Sequence, residues 1–129
     1  MILVDTSVWV DHLRAGSATL ARLLDRGDVL GHRWVVGELA LGHLGQRKEV
    51  IGLLGSLPQA TVATPGEVLT LIERHELYGA GIGYVDAQLL AATKLTPDAM
   101  LWTTDRRLLA VTSRLGHAFD SGTSSEDRR

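Results

Sequence analysis

Apolar positions along the chain alternate between short buried runs and helical spacing, the pattern of an α/β fold. Ile2-Leu3-Val4 leading into Asp5 predicts a short buried strand. Thr6 or Ser7 can cap a helix to about Arg14, with Val8, Trp9 and Leu13 suited to its inner face. Gly16-Ser17 separates it from a helix over 18–26, where Leu20, Leu23 and Leu24 keep helical spacing and Gly27 provides the stop. A second strand is expected over 29–33, weakened by Gly31. Helices follow over 35–44 and 49–57, then a third strand over 60–63. Thr64-Pro65-Gly66-Glu67 has the spacing of a capping box with proline at the first helical position, which opens a helix to about Tyr78. After the glycine-rich stretch 79–83, residues 85–94 read as a helix apolar on nearly every face. A fourth strand over 100–103, a helix from Thr104 or Asp105 to about Leu115, and a short fifth strand over 117–119 complete the order. The expected architecture is a three-layer α/β/α sandwich on a mostly parallel sheet of four to five strands, one domain over 1–120. The tail from Ser121, with Gly122, Ser124, Ser125 and terminal arginines, is expected to be disordered.

Composition narrows the chemistry. A chain of 129 residues can bury about 65–70% of its unfolded surface without staples. With no cysteine, disulfides, thiolate zinc sites, iron–sulfur clusters and a cysteine nucleophile are excluded. No apolar run approaches a membrane span, and the start of the chain lacks a basic segment followed by a long apolar one, so a cytoplasmic protein is expected. The net charge of −2, from 13 Lys+Arg against 15 Asp+Glu, argues against a protein that coats nucleic acid through a basic surface. It leaves room for an enzyme that handles nucleic acid at one acidic cleft with a local basic rim. Of the basic residues only Lys48 and Lys94 are lysine, which compositional bias explains.

In open parallel sheets, ligands bind beyond the carboxyl ends of the strands. Asp5 follows the first strand and Asp105 the fourth, which singles them out. Each also has a plain reading as a helix cap, and Asp86 as a first-turn acid stabilising its helix dipole. Glu38 is harder to place so. It lies in Val35-Val36-Gly37-Glu38-Leu39-Ala40-Leu41, a stretch with no obvious solvent face and no Lys or Arg within four residues. Gly37, Gly42 and Gly83 would let backbones approach a shared cleft. Four carboxylates converging in a partly desolvated site repel one another and raise their pKa values, and a divalent cation relieves that conflict. Oxygen ligands select hard ions such as Mg²⁺ or Mn²⁺, and without cysteine or paired histidines zinc is disfavoured. Such ions can hold a phosphodiester oxygen, activate water and stabilise the leaving oxygen, with no covalent nucleophile. The five histidines, at 12, 32, 43, 75 and 117, lack paired-ligand spacing; His32, near the end of the second strand, is the one expected to line the cleft and contact its substrate.

These stretches resemble the PIN-domain ribonucleases, and within them the VapC-type toxins of toxin–antitoxin pairs. Met1 to Trp9 is similar to the family's opening strand with its acid and hydroxyl pair. Val35-Val36-Gly37-Glu38-Leu39 resembles its second motif, the stretch from Ile82 to Ala92 its third, and Leu101-Trp102-Thr103-Thr104-Asp105-Arg106-Arg107-Leu108 its last. The resemblance runs from Met1 to Phe119. It implies that Asp5, Glu38, Asp86 and Asp105 bind Mg²⁺ or Mn²⁺ and position the attacking water. Thr6, Ser7 and Thr103 would support these acids by hydrogen bonds. It further implies endonucleolytic cleavage of structured RNA such as tRNA or ribosomal RNA, a homodimer, and a small VapB-like antitoxin that covers the cleft. Arg106 and Arg107 stand where some relatives carry a further acid, which puts a second metal ion in doubt and offers two phosphate contacts instead.

The alternatives fit less well. A non-catalytic PIN-like binding module would not need all four acids. A phosphoaspartate receiver wants an acid pair and a late lysine, and a haloacid-dehalogenase-like phosphatase wants an acid two residues after Asp5, where Ser7 stands. Gly79, Gly81 and Gly83 have neither the spacing nor the position of a dinucleotide loop.

Overall fold

A computed structural model describes residues 1–121. The elements run β1 (Ile2–Val4), α1 (Thr6–Ala15), α2 (Ala18–Asp25), β2 (Val29–Leu30), α3 (Arg33–Ala40), α4 (Arg47–Ser56), α5 (Pro65–Arg74), α6 (Tyr84–Leu95), β3 (Met100–Trp102) and α7 (Arg106–Arg114). The expected tail, Ser121 apart, lies outside the described residues.

The sheet is parallel throughout, in the order β2-β1-β3. Ile2 stands opposite both Val29 and Met100. It is narrower than the four to five strands expected. The two missing strands survive as single bridges, Gly31 to Gln59 on one edge and Leu101 to Ala118 on the other. Hydrogen bonding accounts for this. On the first edge Gly31 N–H donates to Pro58 O and Ala60 N–H to Gly31 O, after which Thr61 N–H turns away to the Thr96 hydroxyl. On the other, Leu101 N–H donates to His117 O and Phe119 N–H to Leu101 O, and pairing stops. Gly31 is a close-approach glycine: a Cβ there would sit 2.6 Å from Gln59 Nε2 and 3.1 Å from Leu54 O.

Helices pack around this sheet in the α/β/α arrangement of a PIN-like fold. The main core joins Leu3, Val4 and Leu101 of the sheet to Trp9, Leu20, Leu89 and Leu108. A second cluster, including Val68, Leu71, Leu90 and Val111, knits α5, α6 and α7 together. Every residue from Ala87 to Thr93 is buried, as the all-round apolar pattern of that helix predicts. Each fully buried leucine contributes about 1.5–3 kcal/mol of transfer free energy. Leu13 departs from expectation: it is 40% exposed, so the inner face of α1 is Val8 and Trp9.

Because the strands are parallel, their carboxyl ends share one edge of the sheet. There β1 runs into Asp5, β2 into Gly31-His32 and β3 into Thr103-Thr104-Asp105, so α1, α3 and α7 all begin on that edge. The caps sit at the ends of these connections. Asp5, not Thr6 or Ser7, caps α1, and Asp105 caps α7. The Thr64–Glu67 capping box of α5 forms as its spacing predicts.

Candidate active site

Asp5 is the fixed point of the strand-end cluster. It is buried, 5% exposed, and its carboxylate receives three hydrogen bonds. Thr6 N–H donates to Oδ1 at 2.8 Å, while the Ser7 and Thr103 hydroxyls donate to Oδ2 at 2.8 and 2.7 Å. A carboxylate offers about four lone-pair directions, so Oδ2 is saturated and Oδ1 keeps one free. Thr6 does double duty, since its hydroxyl donates to Glu38 Oε1 and couples the start of α1 to α3. Thr103 links the other way: its oxygen accepts from Asp105 N–H at 3.0 Å. Thr104 N–H donates to Ser7 Oγ at 3.2 Å and closes the network.

The other three acids share one design. Asp105 Oδ1 accepts from the N–H groups of Arg107 and Leu108, both at 3.0 Å. Asp86 Oδ2 accepts from Gly83 N–H at 3.0 Å. Glu38 is held by Thr6 through Oε1. Each side chain is therefore anchored by one oxygen, and among the described residues the other oxygen takes no hydrogen bond. The plain capping roles of Asp5, Asp86 and Asp105 are real, and they orient the remaining oxygens.

Asp86 reports on its neighbours. Burial pushes its carboxyl above the usual range, the Gly83 N–H works against that, and the charges of Asp5, Asp105 and Glu38 each push it further up. Asp86 is thus within electrostatic reach of the other three acids. They are not drawn into a tight cage: among the described residues no three acidic or histidine side chains stand close enough to enclose an ion in this arrangement.

Two expectations about Glu38 need correction. It is exposed, because α3 turns apolar residues outward: Trp34 is 39% exposed and, just past the helix, Leu41 is 91% exposed. Nor do its flanking glycines mark close approach, since a Cβ at Gly37 would meet nothing within 4 Å. His32 also departs from expectation. It is completely buried and caps α3, with Nδ1 accepting from Trp34 N–H at 3.0 Å, so it presents no surface to RNA. Among the described residues its Nε2 has no partner. Burial, reinforced by the charge of Arg33, lowers its pKa to about 4, and the imidazole is neutral at physiological pH.

Arg106 and Arg107 are exposed. The Arg107 side chain lies over Gly81, where φ is +80°: a Cβ there would sit 2.7 Å from Arg107 Cδ and 2.8 Å from Nη1. This seat, and the backbone donors Gly83 and Thr104, escape any reading of side-chain patterns. A hollow of about 650 Å³ opens beside Glu38, walled by Thr6, Val10, Leu13, Leu39 and Val50 among others, so the acidic edge continues into an apolar groove.

These features define a compact α/β domain whose parallel strands deliver acids to one edge. No family model matches the chain. It is 49% identical over 118 residues to Ribonuclease VapC32 of Mycobacterium tuberculosis strain CDC 1551 / Oshkosh, an overlap covering 92% of this chain and 95% of the relative. Ribonuclease VapC32 of strain ATCC 25618 / H37Rv matches with the same figures. The chain belongs to the VapC-type PIN-domain ribonuclease family. Among the described residues, no helix is long and apolar enough to cross a membrane.

Proposed function

We propose that this chain is a Mg²⁺- or Mn²⁺-dependent endoribonuclease, the toxin of a VapBC-type pair, which cleaves structured RNA and so inhibits translation in the cytoplasm. The observation that carries the reading is that Asp5 and Asp105, held at the strand ends, lie with Glu38 close enough to Asp86 to add to the raising of its pKa that burial begins. Carboxylates held within mutual repulsion are costly to folding and suit a cation-binding role. The donor set fits the group: oxygen only, with one oxygen of Glu38, Asp86 and Asp105 and one lone pair of Asp5 Oδ1 left for a ligand.

Asp5, Glu38, Asp86 and Asp105 would hold the ion or ions. When bound, the metal supplies a polarised water and charge neutralisation at the phosphodiester. The chain's own residues do the rest. Thr6, Ser7 and Thr103 fix the Asp5 carboxylate in place through three hydrogen bonds. Glu38, exposed and held through one oxygen, has the freedom to swing onto a ligand. Arg107, laid over Gly81 at the start of α7, offers a guanidinium to a backbone phosphate, and Arg106 stands beside it.

A VapB-like antitoxin completes the proposal. The groove is lined by Glu38 together with Val10, Leu13, Leu39 and Val50, with Arg14 and His43 among its polar residues, so a partner that lays a largely apolar segment there covers the site. A homodimer belongs to the same reading, and the oligomeric mass in solution tests it. The activity itself is tested by incubating the purified chain with total RNA, with and without Mg²⁺, beside Asp5→Ala. Discrete products that require both the metal and Asp5 support the reading; cleavage indifferent to either sinks it.

A further inference from the structure

Away from the acids, three helix ends meet around one histidine. Arg74, Lys94 and Arg114 occupy the last turns of α5, α6 and α7. His75 caps the end of α5. Arg114 Nη2 donates to its carbonyl at 3.1 Å, and Lys94 Nζ lies 3.3 Å from its Nε2. A single base at a helix C-terminus has a local explanation, since it complements the dipole by about 0.3–1 kcal/mol. The dipole does not explain gathering three of them, with His75 and His117, into one place where they repel.

The charges that act on His75 are all cationic. Burial holds the His75 imidazole below its usual range, and Lys94, Arg74, Arg114 and His117 each push it further down. His117 is lowered by burial and by Lys94. Glu67 and Asp98 stand on the surrounding walls, and Glu73 and Glu76 flank Arg74 and His75 in sequence. None of these acids stands within ion-pair distance of the cations; among the described residues the one ion pair is Arg26–Asp28. Arg74, Lys94 and Arg114 are exposed.

Lys94 stands between two hollows. One, of about 580 Å³, lies between α5 and α6, with Thr70, Arg74 and His75 on its wall. The other, of about 450 Å³, includes Thr96 and His117. Cations and hydroxyls spread over two adjoining hollows suit a run of phosphates better than one compact anion. Lys94 lies eight residues after Asp86 on α6, and Arg114 nine after Asp105 at the head of α7. At 1.5 Å per residue these offsets are about 12 and 14 Å along the helix axes, so a substrate touching both places must extend well past the cleaved bond.

We propose that Arg74, His75, Lys94, Arg114 and His117 form a backbone-binding exosite for the phosphates of a structured RNA. This rests on the reading of the chain as an enzyme acting on RNA, and it resolves a difficulty of that reading. An acidic cleft in a chain of net charge −2 repels its substrate unless cations elsewhere hold it.

The test measures binding without cleavage. A fluorescent RNA of tRNA size is titrated with the full chain in EDTA over a series of KCl concentrations. Removing two phosphate contacts in Lys94→Ala/Arg114→Ala should lower the magnitude of the log–log salt slope by about two and weaken binding about tenfold or more at low salt. Lys94→Arg should bind like the unmodified chain, and all these exposed-site variants should melt at its temperature. In Mg²⁺, a substrate of a few nucleotides, too short to reach the patch, should be cut equally by the double variant and the unmodified chain. An unchanged salt slope overturns the exosite even where cleavage is found. So does competition by inorganic phosphate at His75, followed by NMR, without any effect of the variants on RNA, which would make the patch a small-anion site. RNA binding that depends on the patch, with no cleavage in Mg²⁺, would sustain the exosite and sink the nuclease reading. No RNA binding at all by the unmodified chain sinks both.

Discussion

His32 makes the stability of the fold depend on mild acid. The imidazole is fully buried, its Nδ1 accepts from Trp34 N–H, and its pKa is lowered from 6.5 to about 4. Protonation would abolish that acceptor and place a charge where water cannot reach. Above pH 6.5 the ring is neutral in both folded and unfolded chains, and its contribution is fully present. As pH falls from 6.5 toward 4, the unfolded chain takes up the proton and the folded one resists, so stability drains away over that window. The gap between the two values, at about 1.36 kcal/mol per pH unit, amounts to about 3 kcal/mol once complete. Between pH 7 and pH 5 the expected loss is about 2 kcal/mol. Asp86 works in the opposite sense: burial, and after it the charges of its neighbours, raises its pKa, so acid relieves a cost in the folded chain. His32→Asn isolates the histidine, because asparagine keeps a capping acceptor for Trp34 N–H and does not titrate. Its cavity cost is independent of pH and cancels in the comparison. Urea unfolding followed by tryptophan fluorescence at pH 7 and pH 5 should show the unmodified chain losing about 2 kcal/mol more than the variant. Equal losses in the two proteins would refute the assignment of a buried, neutral His32.

Other substitutions separate stability from chemistry. Asp86→Asn removes a part-buried charge repelled by three neighbouring acids while keeping an oxygen for Gly83 N–H, so the metal-free melting temperature should rise while cleavage is lost. Thr103→Val strips a hydroxyl that donates to Asp5 and accepts from Asp105 N–H. It should cost about 1–3 kcal/mol in urea unfolding and lower activity together. Gly81→Ala places a side chain at φ +80° against Arg107. The backbone cost alone is about 1–2 kcal/mol, and displacement of Arg107 should raise KM for RNA more than it lowers kcat.

What was legible in the chain follows from how local each cause is. Asp5 and Asp105 stood out because a short apolar run ending in an acid places that acid at a strand terminus, and both strands form where the runs lie. The capping box at Thr64 and the buried helix after Gly83 are likewise written into neighbouring residues. The sheet's width was not, because the residues around Gln59 and Ala118 have strand-like composition but only one rung each of backbone partners. Glu38 was misjudged for a related reason. An apolar stretch implies burial only if another element covers it, and Trp34 and Leu41 remain partly or wholly uncovered. His32 failed as a cleft residue because its nearest donor is the backbone of its own helix, a bond no residue pattern displays. The reach between Asp86 and the other three acids depends on the common edge of a parallel sheet and on Thr6 and Thr103 as couplers. Those hydroxyls join particular acids: Thr6 to Glu38, and Thr103 to Asp5 and Asp105.

The central claim is that Asp5, Glu38, Asp86 and Asp105 act as one metal-loaded hydrolytic unit. Single-turnover cleavage of a structured RNA at saturating Mg²⁺ tests it most directly, using the four single carboxamide variants and the pair Asp5→Asn/Asp86→Asn. Groups that act as a unit are strongly non-additive, so each single variant should fall by about a hundredfold or more and the pair should be scarcely slower than the worse single. Single variants that keep near-normal rates, or losses that simply multiply in the pair, would contradict it.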